Sequence, residues 1–406
     1  MTAMQKVLIV LLSVASLTPS MFLGEGAIRY VPPFAVLFLL ALYGGLSLRK
    51  AEYRVHFRAF TSKHTLLLCL VGLYLIAIWS VSLSRLPADL TVVAGITIVL
   101  VICHLFLPLL VRTRQEFVFV ARTVFFTCLI ACLAALVFLA INRLTGASYG
   151  IYKVKWLTAK LRFLPKIKIT VIRGIFSNPN SFAMLIAMGL PSLMFLIREE
   201  ERPLYRLLLG GAGLLCFITL LQTFSRTALL SAVVALFMSL LFLTGRHLLA
   251  VAKALVAFLL LGFPVVIIFG IDMDFMKVKM VPTDRIALWS NATELIRQHP
   301  LTGLGIQAVQ ETLTKSAHNT FIETAAAFGL IAMGIYTAYL IVFLVKLQPG
   351  EDRAAMLYAL LTLAAFSILQ CFETLIFGGM SISNFYTLII TLSYLSAGVS
   401  AEPSSC

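Results

Sequence analysis

Two histidines occupy positions where an imidazole could take part in water-accessible chemistry. His318 lies in Lys315-Ser-Ala-His318-Asn319-Thr-Phe-Ile-Glu323, where a long polar segment meets a long apolar stretch. An imidazole titrates close to neutral pH, which suits it to act as a general base. His299 precedes Pro300 at the expected end of a helix, where capping of terminal carbonyl groups is the commoner role. His318 is therefore the candidate base, although its position alone fits a structural histidine equally well.

Two arginines lie at the expected ends of apolar segments. Arg226 belongs to Gln222-Thr-Phe-Ser225-Arg226-Thr227, and Arg173 opens Arg173-Gly174-Ile-Phe-Ser177-Asn178-Pro179-Asn180, which leads into an apolar helix. A guanidinium group binds phosphate oxygens in two-point geometry, and a helix N-terminus favours anions. The two arginines therefore suggest a pyrophosphate site. The alternative for Arg226 is a side chain that reaches from the membrane boundary to its surface.

The segment before Arg173 is strongly basic and nearly free of acidic residues. One interpretation is a solvated or membrane-surface segment; the other is a site for an anionic, phosphate-bearing partner at the outer leaflet. Aromatic and aliphatic residues between the cations fit docking at a membrane interface. The cations are Arg143, Lys153, Lys155, Lys160, Arg162, Lys166, Lys168 and Arg173.

Acidic residues and cysteines give weaker indications. Asp272 and Asp274 resemble a spaced metal-binding pair, but two alternate residues are too short a pattern to predict a metal site. Glu323 and Glu373 lie inside expected helices and could orient Arg173 or Arg226, or form simple core pairs. The cysteines offer no disulfide framework in loops, and no phosphate-binding loop or dinucleotide fingerprint is present. We predict neither a metal nor a cofactor.

The elements that must position these residues are membrane helices. The chain is 61% hydrophobic and 12% charged, with a mean hydropathy of +1.01, which excludes an ordinary soluble protein. Apolar runs long enough to cross a bilayer recur about twelve times, without the alternation of a barrel. The fold class is an all-α polytopic membrane protein. We place its spans near 6–23, 31–47, 65–83, 90–110, 117–141, 179–197, 204–221, 227–244, 250–270, 319–345, 355–376 and 380–398.

The positive charges predict the orientation. Arg49, Lys50 and similar clusters recur in alternate short loops, and such loops face the cytoplasm. Both termini are then cytoplasmic, and His318 and the two arginines face the periplasm. The predicted organisation is 1–141 with five membrane helices, 142–178 as a basic periplasmic loop, 179–270 with helices six to nine, 271–318 as a periplasmic loop with an amphipathic helix at 284–297, and 319–406 with the last three helices.

In these motifs the chain resembles the O-antigen ligase family, membrane enzymes that join a lipid-carried O-polysaccharide to the lipid A-core of lipopolysaccharide. The resemblance covers about residues 170–345. It is carried by Arg173 to Asn180, Ser225-Arg226, Asp284-Arg285 through His299-Pro300-Leu-Thr-Gly303-Leu-Gly305, and His318-Asn319 followed by Gly329. One departure is Ala332, where the family usually has Gly, Thr or Tyr.

The resemblance implies a function and an architecture. The fold would be that of a GT-C-like glycosyltransferase in the bacterial inner membrane, with its active site facing the periplasm. The donor would be undecaprenyl-pyrophosphate-linked O-antigen, and the acceptor a sugar hydroxyl of lipid A-core. Transfer would be metal-independent and inverting, with His318 as the general base and Arg173 and Arg226 neutralising the diphosphate. We expect substrate contacts from Asn180, Arg285, Asn319, Lys160, Arg162, Lys166 and Lys168.

Other functions remain open from the sequence. O-antigen polymerases of the same superfamily use the same donor, and only the basic segment, suited to the acceptor's phosphates, favours a ligase. A lipid or solute transporter, or a structural partner in envelope assembly, would also have many membrane helices. Membrane lipids are expected partners and nucleic acid is not; the sequence makes no prediction about the oligomeric state.

Overall fold

The computed structural model describes residues 1–21, 26–83, 87–155, 168–244, 248–269, 283–348 and 352–399. In these ranges the chain forms fifteen α-helices and one antiparallel pair of strands. The helices are α1 (Ala3–Ala15), α2 (Val31–Ser47), α3 (Ala51–Lys63), α4 (Thr65–Ser82), α5 (Pro87–Leu110), α6 (Arg114–Thr145), α7 (Pro179–Glu199), α8 (Pro203–Gln222), α9 (Arg226–Thr244), α10 (Leu248–Ile268), α11 (Thr283–Gln298), α12 (Ile306–Leu313), α13 (Thr320–Lys346), α14 (Arg353–Phe372) and α15 (Ile382–Val399). The strands are β1 (Ile151–Lys155) and β2 (Lys168–Ile172), with Ile151 opposite Ile172.

Ten described helices are long and apolar enough to cross a membrane. They include α1, α2, α4 to α8, α10, α13 and α14, while α9 is apolar over the shorter stretch Arg226–Leu240. Each of the twelve apolar runs predicted from the sequence contains a helix, the last being α15. The chain is therefore a polytopic membrane protein.

Apolar side chains cover the outside of the bundle as well as its interior. Phe38, Ile76, Leu207 and Phe258 are each at least two-thirds exposed, although all lie on candidate membrane spans. A helix that is hydrophobic all round requires an apolar environment on every side. Lipid supplies that environment for the outward faces.

Helix α14 forms the centre of the bundle, and α7, α9, α10, α13 and α15 pack around it. Small residues allow close approach, as is common between membrane helices. Ser231 on α9 donates its hydroxyl to the Ala365 carbonyl of α14 at 3.2 Å. At Gly189 on α7, an added Cβ would lie 2.7 Å from the Cys128 Cβ of α6, so only glycine fits there.

Ion pairs and hydrogen bonds fix the direction of the central helices. Arg114, at the start of α6, pairs with Asp352 before α14 at 2.6 Å and with Glu199 at the end of α7 at 2.8 Å. At the other end, Asn180 in the first turn of α7 reaches Glu373, which follows α14. Helices α7 and α14 are therefore antiparallel. The end that carries Arg114 is opposite to the end that carries Glu373.

The loops are more structured than the sequence predicted. Residues 51–63, expected to be a basic loop, form helix α3, because Tyr53, His56 and Phe60 recur at helical spacing and are buried. Helix α6 continues to Thr145, which shortens the expected 142–178 loop, and the same segment contains β1 and β2. The predicted amphipathic helix is present as α11, and a second helix, α12, follows it in the 271–318 segment.

Candidate active site

The start of α13 is joined to the segment that follows α14. Asn319 caps α13, since its Oδ1 accepts from the Ile322 N–H at 3.0 Å, and its Nδ2 donates to the Cys371 carbonyl at 3.0 Å. Thr320 donates its hydroxyl to the Glu373 carbonyl at 2.9 Å and accepts from the Leu375 N–H at 2.8 Å. These bonds join the start of α13, next to His318, to the segment that follows α14. Asn319 is fully buried, so its amide serves this joint.

The residue before His318, Ala317, is hydrogen-bonded through both its carbonyl and its N–H group. The indole Nε1–H of Trp289 donates to the Ala317 carbonyl at 2.7 Å, and the Ala317 N–H donates to Glu323 Oε2 at 2.7 Å. Both Trp289 and Glu323 are fully buried. The backbone of His318 has a φ of 51°, a left-handed conformation that is uncommon outside glycine. Such conformations persist where the surrounding structure fixes them, often at functional sites.

Glu373 is the centre of a polar cluster. Its Oε2 lies 3.5 Å from Nδ1 of His318, and its Oε1 accepts from Nη2 of Arg285 and Nδ2 of Asn180, each at 3.4 Å. Arg285 also donates through Nη1 to the Phe372 carbonyl at 2.5 Å. The Glu373 side chain is 12% exposed, whereas that of His318 is 37% exposed. The histidine can therefore meet a substrate while its partner stays inside the protein.

Asn180 reaches this cluster because of the turn that begins α7. Gly174 has a φ of 57°, which allows the sharp bend. Asn178 caps the helix, accepting from the Asn180 N–H at 2.8 Å, and Pro179 occupies the first helical turn. The turn is tied to the segment after α1, where the Ser177 N–H donates to the Ser20 carbonyl at 2.9 Å.

Arg173 lies beside this turn and contacts Tyr152 of strand β1. Its guanidinium carbon is 4.2 Å from the centre of the Tyr152 ring, and its Nη1 donates to the Tyr152 hydroxyl at 2.7 Å and to the Ser177 carbonyl at 3.4 Å. Ser177 is only three residues before Asn180, a separation of at most about 11 Å along the chain. Arg173 therefore lies at the same end of the molecule as the Glu373 cluster.

Arg226 opens helix α9 and is exposed. Helices α7, α8 and α9 are joined by short links, so α9 runs parallel to α7 and antiparallel to α14. Ser231 of α9 contacts Ala365 of α14. At a rise of 1.5 Å per residue, Arg226 lies about 8 Å from this contact and Phe372 about 10 Å from it, both towards the same end of the bundle. The two positions are thus at similar depth.

The sequence predicted that Glu323 and Glu373 lie inside helices, where they could orient Arg173 or Arg226 or form core pairs. Glu373 does not lie inside its helix but follows α14, and its ion-pair partners are Arg285 and His318. Glu323 lies in the first turn of α13 and supports Ala317. The contacts of Glu373 join segments that are distant in sequence, whereas Glu323 bonds to a residue only six positions earlier.

Several other predicted residues cannot be placed. Lys160, Arg162 and Lys166 of the basic segment, and Asp272 and Asp274, lie outside the described residues. Lys168 is in β2, opposite Lys155.

Three thiols form a group that the sequence analysis missed. The sulfur atoms of Cys128, Cys132 and Cys216 all lie within 4.8 Å of one another. Cys128 and Cys132 are four residues apart on α6, which places them on one face, and Cys216 comes from α8. By donor type the group could hold a soft metal ion. It is buried inside the bundle, on helices other than those of the Glu373 cluster.

The segment from His299 to Gly305 packs on a break in α13. Gly329 has φ 86° and ψ 168°, so α13 is interrupted there. The Leu304 N–H donates to the Ala326 carbonyl at 2.8 Å, and the Leu330 N–H donates to the Pro300 carbonyl at 2.7 Å. An added Cβ at Gly329 would lie 2.1 Å from the Leu301 carbonyl oxygen. Ala332, one turn further along, is fully buried.

The comparisons with known proteins agree with the motifs. The model of the family described as O-antigen ligase matches residues 211–337. The matched segment contains Arg226, Arg285, His318 and the break at Gly329, whereas Arg173, Asn180 and Glu373 lie outside it. A search of the curated proteins found no match. Over residues 211–337, the chain is therefore similar to the O-antigen ligase family.

Proposed function

We propose that the protein is an O-antigen ligase, which transfers O-polysaccharide from undecaprenyl pyrophosphate to a sugar hydroxyl of lipid A-core. The family as a whole comprises glycosyltransferase-like enzymes that act on lipid-linked glycans. The observation that carries the proposal is the half-exposed His318, held above a buried carboxylate at the end of the bundle where Arg173 and Arg226 also lie.

In the proposed reaction, His318 removes the proton from the acceptor hydroxyl as that oxygen attacks the anomeric carbon. The bond between the anomeric carbon and the phosphate oxygen breaks, and undecaprenyl diphosphate leaves with the bonding electrons. Arg173 and Arg226 neutralise the charge that grows on the diphosphate. Direct displacement inverts the anomeric centre, and the two arginines supply the charge stabilisation that a metal would otherwise give.

The remaining polar residues have separate roles in this proposal. Asn180 and Arg285, which both bond to Glu373, lie beside the donor. Asn319 does not contact a substrate, because its amide caps α13 and bonds to the Cys371 carbonyl. The basic segment with Lys160, Arg162, Lys166 and Lys168 holds the phosphates of lipid A-core. That role favours a ligase over a polymerase, since only the ligase acceptor carries those phosphates.

The distribution of charge supports the proposed location. The cations Arg114, Lys346 and Lys63 lie at the end opposite to His318, where Lys346 donates to the Lys63 carbonyl at 2.8 Å. Cation-rich ends of membrane helices face the cytoplasm. The protein then lies in the bacterial inner membrane, with His318 facing the periplasm.

The test is glycan transfer by purified protein in detergent, with undecaprenyl-pyrophosphate O-glycan and lipid A-core in the presence of EDTA. Wild-type protein should form the glycan-bearing lipid A-core, and His318→Ala should lower the rate about 10²- to 10⁴-fold, the usual contribution of a general base. His299→Ala, at the same end of the molecule, is the control and should retain activity.

Each alternative outcome has a distinct meaning. A lengthened glycan that stays on undecaprenol would make the protein a polymerase. Full activity of the folded His318→Ala variant would remove His318 as the base. Absence of transfer by wild-type protein, together with flux of a lipid-linked glycan across vesicles, would favour a transporter.

A further inference from the structure

The two oxygens of the Glu373 carboxylate face different neighbours. Oε1 accepts from two donors, Nη2 of Arg285 and Nδ2 of Asn180, each at 3.4 Å. Oε2 faces Nδ1 of His318 at 3.5 Å. Glu373 is therefore held on one side by fixed donors and presents its other oxygen to the histidine.

Arg285 stabilises the Glu373 carboxylate at the end of α14. Glu373 follows the last turn of α14, where the free carbonyl groups carry partial negative charge and disfavour an acid. Arg285 donates to one of those carbonyls, at Phe372, and to Glu373 itself. One guanidinium thus compensates both negative groups.

We propose that Glu373 is a positioning residue that selects the tautomer of His318. A carboxylate can only accept, so a neutral His318 carries its hydrogen on Nδ1, which faces Oε2 at 3.5 Å. The other nitrogen, Nε2, is then left without hydrogen and available to take a proton from a substrate hydroxyl. A base oriented by a third group in this manner is a recurring arrangement in enzymes. The catalytic consequence rests on the proposed function; the tautomer itself does not.

The arrangement predicts a specific effect of Glu373→Gln. Arg285 and Asn180 are both donors, so they require the amide oxygen at the position of Oε1. The amide NH2 group then takes the position of Oε2 and faces Nδ1, which can only accept from it. The hydrogen of the imidazole moves to Nε2, and His318 presents the wrong nitrogen. Glu373→Asp retains a carboxylate and should preserve the tautomer if the shorter side chain reaches Nδ1.

The test is ¹⁵N nuclear magnetic resonance of the full chain in detergent micelles, with all histidines labelled and the pH high enough to keep imidazoles neutral. The His318 signals are identified by their loss in His318→Gln. We expect the hydrogen on Nδ1 in wild-type protein and on Nε2 in Glu373→Gln. Glu199→Gln, which alters a carboxylate at the opposite end of the bundle, should leave the His318 signals unchanged.

Glycan transfer gives the second measurement. Glu373→Gln should lower kcat about 10²-fold or more with little change in KM, because substrate binding does not depend on the tautomer of the base. An unfolded chain would also favour the hydrogen on Nε2, so the Glu373→Gln spectrum counts only where thermal unfolding shows that the variant is folded.

The results separate this inference from the proposed function. A wild-type His318 with its hydrogen on Nε2, or a tautomer that Glu373→Gln leaves unchanged, overturns the role of Glu373 even if glycan is transferred. If the tautomer reverses but wild-type protein transfers no glycan, the positioning role stands and the proposed function fails. If Glu373→Gln does not fold, the wild-type tautomer alone decides.

Discussion

At the scale of single residues, the conformation at His318 depends on two buried side chains. The left-handed backbone of His318 follows a peptide whose two polar atoms are both bonded to buried side chains, those of Trp289 and Glu323. Fixing the residue before a catalytic group reduces the freedom of that group. Buried residues on α11 and α13 therefore hold the backbone from which the imidazole projects.

Trp289→Phe tests this support. Phenylalanine retains an aromatic ring against Phe263 but removes the indole N–H that donates to the Ala317 carbonyl. Loss of a hydrogen bond worth about 1 kcal/mol should lower kcat for glycan transfer roughly fivefold to tenfold, with a small loss of stability. Trp79→Phe is the matched control, since its indole bonds to Thr97 at 2.8 Å outside the site. Equal activity losses in both variants would contradict a local role for Trp289.

At the scale of elements, α13 and the segment before α12 form one unit. The break at Gly329 exposes backbone groups of α13, and residues 300–305 bond to them. A helix that presents unpaired peptide groups must have them satisfied when they are buried. The glycines at 303, 305 and 329 therefore have a structural reason, which is the close approach of two backbones.

Gly329→Ala should destabilise this unit. The φ of 86° is unfavourable for alanine by about 1–3 kcal/mol, and the new Cβ would meet the Leu301 carbonyl oxygen at 2.1 Å. We expect a clearly lower thermal unfolding temperature in detergent and a loss of glycan transfer. Gly334→Ala is the control on the same helix, because an added Cβ there has no neighbour within 4 Å. Similar unfolding temperatures for both variants would show that the contact is not important.

At the scale of the whole molecule, charge and polarity divide the two ends. Ion pairs such as Arg114 with Asp352 lie at one end, and the Glu373 cluster lies at the other, with apolar surface between them. A bilayer tolerates such a molecule in one orientation, since cationic ends are retained in the cytoplasm.

Cysteine labelling in intact cells checks this orientation. Lys315→Cys, exposed beside His318, should react with a membrane-impermeant thiol reagent added outside the inner membrane. Lys50→Cys, exposed at the other end, should react only after that membrane is made permeable. The unmodified chain measures background labelling. The reverse pattern would place His318 in the cytoplasm and exclude the proposed donor and acceptor.

The membrane helices could be predicted from the sequence because apolar length is a local property, which the thickness of a bilayer imposes on each segment. The motif residues Arg173, Arg226, His318 and Gly329 could likewise be found as a pattern. Loop structure was less predictable: α3 and α12 are short, polar or mixed in character, and their stability depends on the packing of a few buried side chains.

Only the tertiary structure decided which side chains meet. Glu373 joins Asn180 across 193 residues and Arg285 across 88, because the start of α7, the start of α11 and the end of α14 lie close together. No local pattern contains such a contact. Asn319 illustrates the same limit: its residue type fits a ligand or a helix cap, and its burial against Cys371 identifies the cap. The membrane helices and the candidate residues could be predicted from the sequence, whereas the partners of those residues depend on the packing of distant helices.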